Sequence, residues 1–176
     1  MSEKKLVYII GFMGSGKSTA GKKIASALGW TFIDLDRKIE ERAGKTIPKI
    51  FEQEGESHFR SIETDVLKST GVLSATVIST GGGTPCHGNN MDFMLETGLT
   101  IYLRMTPVQL TRRLLNSSGE RPLLKNVPDE KLVSFIEEKL AFREKWYNRA
   151  NLLIDGTDID ISMLSARIRD ELTIGC

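Results

Sequence analysis

The sequence predicts an α/β fold in which a parallel sheet of five strands lies between two layers of helices, a three-layer sandwich. Three observations lead to this prediction. Short apolar runs typical of buried strands alternate with segments whose apolar residues recur at helical spacing. A glycine-rich loop joins the first of these runs to the first helix. The length of 176 residues suits one domain with its own core, and no linker or repeat indicates a second.

The first strand is predicted at residues 6–10, and the loop after it has the spacing of a phosphate-binding P-loop. Gly11, Gly16, Lys17 and Ser18 match G-x-x-x-x-G-K-[ST], in which backbone N–H groups face the phosphates, the lysine reaches the terminal phosphates and the hydroxyl meets Mg²⁺. The helix predicted directly after the loop adds the positive end of its dipole. A flexible glycine turn with a surface lysine is the alternative. The expected nucleotide contacts are Gly14, Ser15, Gly16, Lys17, Ser18 and Thr19.

The second strand is predicted at residues 31–36 as a buried strand that ends in two carboxylates, Asp34 and Asp36. Ligands of open α/β sheets bind outside the carboxyl ends of the strands, so both carboxylates are expected to face the phosphates held by Lys17. The alternative makes Asp36 the N-cap of a short helix at residues 37–43 and leaves Asp34 as a solvated strand end.

Glycines divide the next segment into helices. Gly44 ends the short helix, and a new helix begins at Ile47 with Pro48 in its first turn. Gly55 separates this helix from a longer one that reaches about residue 70.

Two charged residues on the longer helix allow two interpretations. Arg60 and Glu63 lie three residues apart, a spacing that permits an ion pair, although a solvated charged face is the simpler account of these two residues alone. Phe51 and Phe59 favour the ion pair in a pocket, because they place aromatic side chains beside the guanidinium.

The third strand, predicted at residues 76–79, is followed by three consecutive glycines at positions 81–83. Such a run is costly in chain entropy and indicates that a ligand approaches the backbone closely, with a plain loop as the alternative. The strand ends in Ser79, where most P-loop proteins carry an aspartate for Mg²⁺. The metal is therefore expected to contact Ser18 directly and Asp34 through water.

The remaining elements continue the alternation of helix and strand. A helix around residues 91–95 precedes a fourth strand at 99–103, and Thr106 is the expected N-cap of the following helix. The longest helix is predicted at residues 129–148, and a fifth strand at 152–154 leads to a closing helix.

A loop at residues 116–128 interrupts this pattern, with the length of a functional lid or a disordered segment. Arg121 lies near its middle. Beside a P-loop, such an arginine can close over a transferred phosphoryl group, and the alternative is an exposed arginine in a flexible loop.

Composition excludes several classes of protein. Lys and Arg number 24 against 23 Asp and Glu, so no broad basic surface for nucleic acid or membrane is expected. The two cysteines, Cys86 and Cys176, are too few for a disulfide framework and indicate a reducing compartment. The apolar run at the N-terminus is too short for a signal peptide, and no run is long enough to span a membrane, so a cytoplasmic location is expected.

Four motifs together resemble shikimate kinases. They are the Asp34-x-Asp36 pair, the stretch GESHFRSIE at residues 55–63, the triple glycine and the sequence RPLL at 121–124. The resemblance runs from the P-loop to Ala150 and implies a single kinase domain over residues 1–176, similar to nucleoside monophosphate kinases. It implies a substrate-binding segment at about 34–63 and a mobile lid at about 116–128.

This resemblance also implies the reaction: ATP, with Mg²⁺, phosphorylates the 3-hydroxyl of shikimate to give shikimate 3-phosphate. Asp36 is then the candidate base, with Lys17 and Arg121 as the other catalytic residues. A monomer is expected, with shikimate and ATP as its only partners.

Further roles follow from the same resemblance. Arg60 and Arg143 would bind the shikimate carboxylate, for which the planar guanidinium is suited, and Glu63 would hold Arg60 in position. Arg113 is the expected stacking partner of adenine, and Arg121 contacts ATP from the lid. The remaining substrate contacts are Asp36, the aromatic residues Phe51 and Phe59, and the backbone donors of Gly82 and Gly83.

Two alternatives stay open at this point. One is another small-metabolite kinase of the same fold, such as a gluconate or nucleoside monophosphate kinase. The other is a nucleotide-binding regulator that transfers nothing, although the Asn-Lys-x-Asp motif of a GTP switch is absent from the sequence. The loop at 155–160 lacks the proline that family members usually place against adenine, so its adenine contacts are left unassigned.

Overall fold

The computed structural model describes residues 5–117 and 127–174. Its sheet has five parallel strands in the order β2-β3-β1-β4-β5 within those residues. The central strand is fully buried, as its apolar sequence LVYII requires. The predicted parallel sheet is therefore confirmed. The strands are β1 (Leu6–Ile10), β2 (Thr31–Asp34), β3 (Thr76–Ser79), β4 (Leu99–Arg104) and β5 (Leu152–Asp155).

Helices cover both faces of the sheet and form the two outer layers of the predicted sandwich. Alternate residues of β1 belong to separate apolar clusters, with Tyr8 and Ile10 in one and Val7 and Ile9 in the other. The helices are α1 (Lys17–Leu28), α2 (Leu35–Ala43), α3 (Ile47–Ser69), α4 (Asn90–Thr97), α5 (Pro107–Leu115), α6 (Leu132–Tyr147) and α7 (Ile161–Ile174).

Local signals fix several helix ends, among them the predicted stop at Gly44 and the predicted cap at Thr106. Gly29 and Gly44 adopt left-handed φ values of 72° and 64° after α1 and α2. Gly55, with φ of 82°, interrupts the helical geometry of α3, which is therefore two helical segments joined at a kink. Thr106 caps α5 in a reciprocal capping box with Gln109.

The prediction for the second strand is wrong at its end. β2 stops at Asp34, and Asp36 lies in the first turn of α2. Asp34 is the N-cap, since its carboxylate accepts a hydrogen bond from the Arg37 N–H (3.4 Å), so the alternative that gave this role to Asp36 is also wrong. β2 is only half-buried because it forms an edge of the sheet.

The predicted lid lies largely outside the described residues, and this includes Arg121. The long helix expected from residue 129 begins as a 3-10 turn at Asp129–Lys131, and α6 starts at Leu132. Over the ranges that the structure describes, no helix combines the length and apolar character needed to cross a membrane.

Candidate active site

The P-loop has the backbone geometry of a phosphate cradle. Gly11, Gly14 and Gly16 have φ values of 148°, 81° and 86°, which other residues rarely adopt. The Lys17 ammonium is buried and donates hydrogen bonds to the carbonyl oxygens of Gly11 and Phe12, both at 2.9 Å. A flexible turn with a surface lysine is therefore the wrong interpretation.

Three oxygen-bearing side chains meet beside the start of α1. Ser18 Oγ donates to Asp34 Oδ2 at 2.7 Å and lies 3.2 Å from Ser79 Oγ. Hydroxyl and carboxylate oxygens are ligands that Mg²⁺ accepts, and a site with few protein ligands suits a metal that also binds phosphates and water. The oxygens of Ser18, Asp34 and Ser79 therefore fit Mg²⁺. No group of three or more His, Cys, Asp or Glu residues suited to hold a metal occurs in the part of the chain that the structure describes.

Ser79 is a site residue that the sequence analysis did not assign. In the sheet, Asp34 and Ser79 are register partners on the neighbouring strands β2 and β3. The signal was partly present in the sequence, because Ser79 ends a predicted strand, Asp34 lies near the predicted end of another, and parallel strands end at one edge.

Asp36 lines an open pocket that solvent still reaches. Loss of hydration within this pocket, together with the charges of Asp34 and of Glu63, raises the pKa of Asp36 to about 6, although Lys17 opposes the shift. A carboxyl group with such a pKa can accept a proton near neutral pH.

This acceptor pocket has a volume of about 320 Å³ and adjoins the P-loop through Met13. It has an aromatic wall, because Phe51 and Phe59 contact each other with ring centroids 4.6 Å apart. Its other described lining residues are Asp36, Ile47, Arg60, Glu63, Gly81, Gly82, Gly83 and Arg143.

Arg60 is held in the pocket by a buried carboxylate. Its Nη1 donates to Glu63 Oε2 at 2.7 Å, and Glu63, only 1% exposed, also accepts from the Thr84 hydroxyl at 2.6 Å. The guanidinium lies 5.0 Å from the centroid of the Phe59 ring. The predicted ion pair is confirmed, and a fully solvated charged face is excluded.

Arg143 reaches the same pocket from α6. Its guanidinium lies 5.1 Å from the centre of the Phe12 ring. Its Nη1 is buried without a hydrogen-bond partner among the described residues. Such a buried donor is costly unless a ligand accepts from it, so Arg143 is suited to bind an anion.

The triple glycine allows close packing of both guanidinium groups. A Cβ atom on Gly83 would lie 2.8 Å from Arg60 Nη2, and one on Gly82 would lie 3.3 Å from Arg143 Nη1 and from the Met13 nitrogen. The sequence predicted that a ligand approaches these glycines. In the structure arginine side chains lie against them, and the approach of a ligand stays a prediction.

A second cleft, also about 320 Å³, lies on the far side of the P-loop. Arg113 borders it and donates to the carbonyl oxygens of Ser15 (3.3 Å) and Gly156 (3.1 Å). The loop that lacks proline is shaped by Asp155, whose carboxylate accepts from the Thr157 N–H at 2.9 Å. The cleft is lined by Ser15, Gly16, Thr19, Ala20, Lys23, Arg113, Gly156, Thr157, Asp158, Ile159 and Ile161.

The family model described as "Shikimate kinase" matches residues 13–173. The chain belongs to the shikimate kinase family.

Individual shikimate kinases match over most of their length. The enzyme of Phocaeicola vulgatus is 42% identical over 154 residues, which cover 88% of both chains. The crystal structure of the shikimate kinase from Bacteroides thetaiotaomicron has 37% identity and a TM-score of 0.88, and covers 96% of this chain and 98% of its own. That from Acinetobacter baumannii, solved in complex with shikimate, has 32% identity and a TM-score of 0.84, and covers 97% and 94%.

A gluconokinase from Sinorhizobium meliloti has the same fold, with a TM-score of 0.60 and 16% identity. This likeness shows only that the two share an architecture.

The resemblance to shikimate kinases that the sequence motifs indicated is confirmed by the family match and by the relatives. The roles of individual site residues stay predictions.

Proposed function

We infer that this chain transfers the terminal phosphoryl group of ATP to the 3-hydroxyl of shikimate, giving shikimate 3-phosphate. The observation that carries this inference is the acceptor pocket, in which Arg60, Arg143 and Asp36 adjoin a P-loop. Two guanidinium groups suit the single carboxylate of shikimate, and the aromatic wall suits its ring. Membership of the shikimate kinase family supports the same activity.

Asp36 is proposed as the base. Its side chain lines the pocket on the side of Lys17, and its raised pKa of about 6 leaves it mostly ionised at neutral pH but able to take the hydroxyl proton. Arg60 and Arg143 orient the acceptor by its carboxylate, because bidentate contacts fix an angle as well as a distance.

Residues of the P-loop and beside it neutralise the negative charge of the phosphates. Lys17 and the backbone N–H groups of the loop bind the phosphates, and Ser18 and Asp34, with Ser79 beside them, would hold the metal. When bound, Mg²⁺ neutralises charge on the phosphate oxygens. Arg121 is proposed to approach from the lid and Arg113 to pack against adenine. The cleft that Arg113 borders supports the adenine site.

We propose one kinase domain over residues 1–176, with the substrate-binding segment at about 34–63 and the lid at about 116–128. The chain is also proposed to act as a monomer.

A coupled assay with ATP and Mg²⁺ tests this function. Shikimate, gluconate and nucleoside monophosphates are offered separately, and ADP release is followed. We expect turnover with shikimate alone. Transfer to gluconate or to a nucleotide at a comparable kcat/KM would contradict the assignment, and nucleotide binding without any transfer would favour a regulator.

A further inference from the structure

The Tyr147 hydroxyl makes a hydrogen bond that the proposed mechanism does not use. Tyr147 is fully buried in the last turn of α6 and donates to the carbonyl oxygen of Gly82, 65 positions away in the sequence. Its ring packs on Tyr102 of β4, with centroids 4.9 Å apart. The ring is therefore held by packing, and its hydroxyl reaches the triple glycine at the Gly82 carbonyl oxygen.

This bond determines how the peptide between Gly82 and Gly83 is oriented. In a trans peptide, the carbonyl and the following N–H point to opposite sides, and the described residues contain no cis bond. With the Gly82 carbonyl turned to Tyr147, the Gly83 N–H points away from α6. No acceptor among the described residues takes that N–H, and Gly83 lines the acceptor pocket.

Packing around Gly82 leaves little space for movement. A Cβ atom there would lie 3.3 Å from Arg143 Nη1 and 3.3 Å from the Met13 nitrogen of the P-loop. Arg143 lies one turn before Tyr147 on the same helix. Burial raises the pKa of the Tyr147 hydroxyl above its usual value, although the Arg143 guanidinium opposes this, so the group stays a donor.

We propose that Tyr147 is a positioning residue for the acceptor, which holds the Gly82 carbonyl so that the Gly83 N–H and the Arg143 guanidinium face bound shikimate together. Tyr147 acts through these groups, because it does not itself line the pocket. The proposal rests on the proposed function, since it assumes shikimate as the ligand.

The test compares Tyr147→Phe with Tyr102→Phe. Both variants keep the stacked pair of rings, but the Tyr102 hydroxyl is buried without a partner in the described part of the chain. Loss of one hydrogen bond and burial of an unpaired carbonyl predict that Tyr147→Phe raises KM and Kd for shikimate about three- to tenfold. The KM for ATP should stay unchanged, and Tyr102→Phe should keep wild-type values for both substrates.

Two results would overturn the proposal. One is a wild-type shikimate KM in Tyr147→Phe, even if the melting temperature falls, because the hydroxyl would then be structural only. The other is an equal rise of KM for ATP and shikimate, which would indicate a general loosening. A wild-type chain that fails to phosphorylate shikimate would instead refute the proposed function, and the two failures are thereby distinguished.

Discussion

At the scale of single residues, Asp36 combines a proposed catalytic role with a cost in stability. Its pKa is raised to about 6, chiefly by loss of hydration and then by the charge of Asp34. The folded protein therefore resists ionisation of this carboxyl. Burial thus favours the protonated carboxyl. The stability of the fold is highest, as far as this group decides it, below the unfolded pKa of 3.8, and this stability is lost as the pH rises through about 6.

Replacement of this carboxyl should separate activity from stability. Asp36→Asn is expected to lower kcat at least about 100-fold, because the base is lost, while ATP still binds. In metal-free buffer at pH 8 the same variant should unfold with a free energy higher by on the order of 1 kcal/mol, a value reduced for solvent screening because water reaches the site.

Urea unfolding at several pH values checks the stability effect. The difference between Asp36→Asn and wild type should shrink as the pH falls through 6 towards 4. Turnover of Asp36→Asn at the wild-type rate would rule out the role as base.

Arg60 is best tested by a substitution that keeps its charge. Glu63 is buried, so Arg60→Ala would leave its carboxylate without a charged partner and destabilise the fold. Arg60→Lys retains the charge but loses the planar fork, and it should raise KM for shikimate about 10- to 100-fold with little change in KM for ATP.

Arg149→Lys is the matched control for this substitution. Arg149 forms a half-exposed ion pair with Asp92, away from both clefts, and its replacement should leave both KM values unchanged. If Arg60→Lys shifted only the melting temperature, Arg60 would be a structural residue.

At the scale of elements, the pairing of β2 with β3 decides which residues surround the expected metal. Ser79 ends β3 beside Asp34, and its hydroxyl lies 3.2 Å from Ser18 Oγ. From this position the Ser79 hydroxyl would be able to hydrogen-bond a water of bound Mg²⁺.

Ser79→Ala should therefore raise the Mg²⁺ concentration needed for half-maximal enhancement of ADP binding about three- to tenfold, because one hydrogen bond is lost. Calorimetric titration of ADP at several Mg²⁺ concentrations measures this without turnover. Ser165→Ala is the control, because Ser165 is also buried but its hydroxyl has no partner among the described residues. If Ser79→Ala needed the same Mg²⁺ concentration as the wild type, Ser79 would have no part in binding the metal.

At the scale of the whole molecule, the two clefts lie on either side of one P-loop, whose residues Met13 and Gly16 line one cleft each. Ligands that bind only the folded state raise the melting temperature by mass action. ADP with Mg²⁺, and separately shikimate, should each stabilise by about 2.7 kcal/mol at a concentration 100 times Kd, roughly 5–10 °C for a chain of this size.

Thermal melts with shikimate and with gluconate at equal concentrations check this expectation. A shift with gluconate as large as that with shikimate would show that the acceptor pocket does not discriminate between the two acids.

Much of the fold could be predicted because its signals are local. The glycine spacing of the P-loop, the helix stops at Gly29 and Gly44 and the cap at Thr106 each depend on a few adjacent residues. The end of β2 was predicted two residues too late because Leu35 continues the apolar run of the strand, although it is the first residue of α2. Only the hydrogen bond from the Arg37 N–H identifies Asp34 as the cap.

The sequence by itself determined the order of strands and helices along the chain, the phosphate-binding loop and the family to which the chain belongs, because short motifs and hydrophobic periodicity specify them. Only the tertiary structure decided that Ser79 meets Ser18, that Glu63 is buried under Arg60 and that Tyr147 holds Gly82. Two of these contacts join residues more than 60 positions apart, and the third depends on burial. Strand register and packing create such relations, and neither can be read from residue spacing alone.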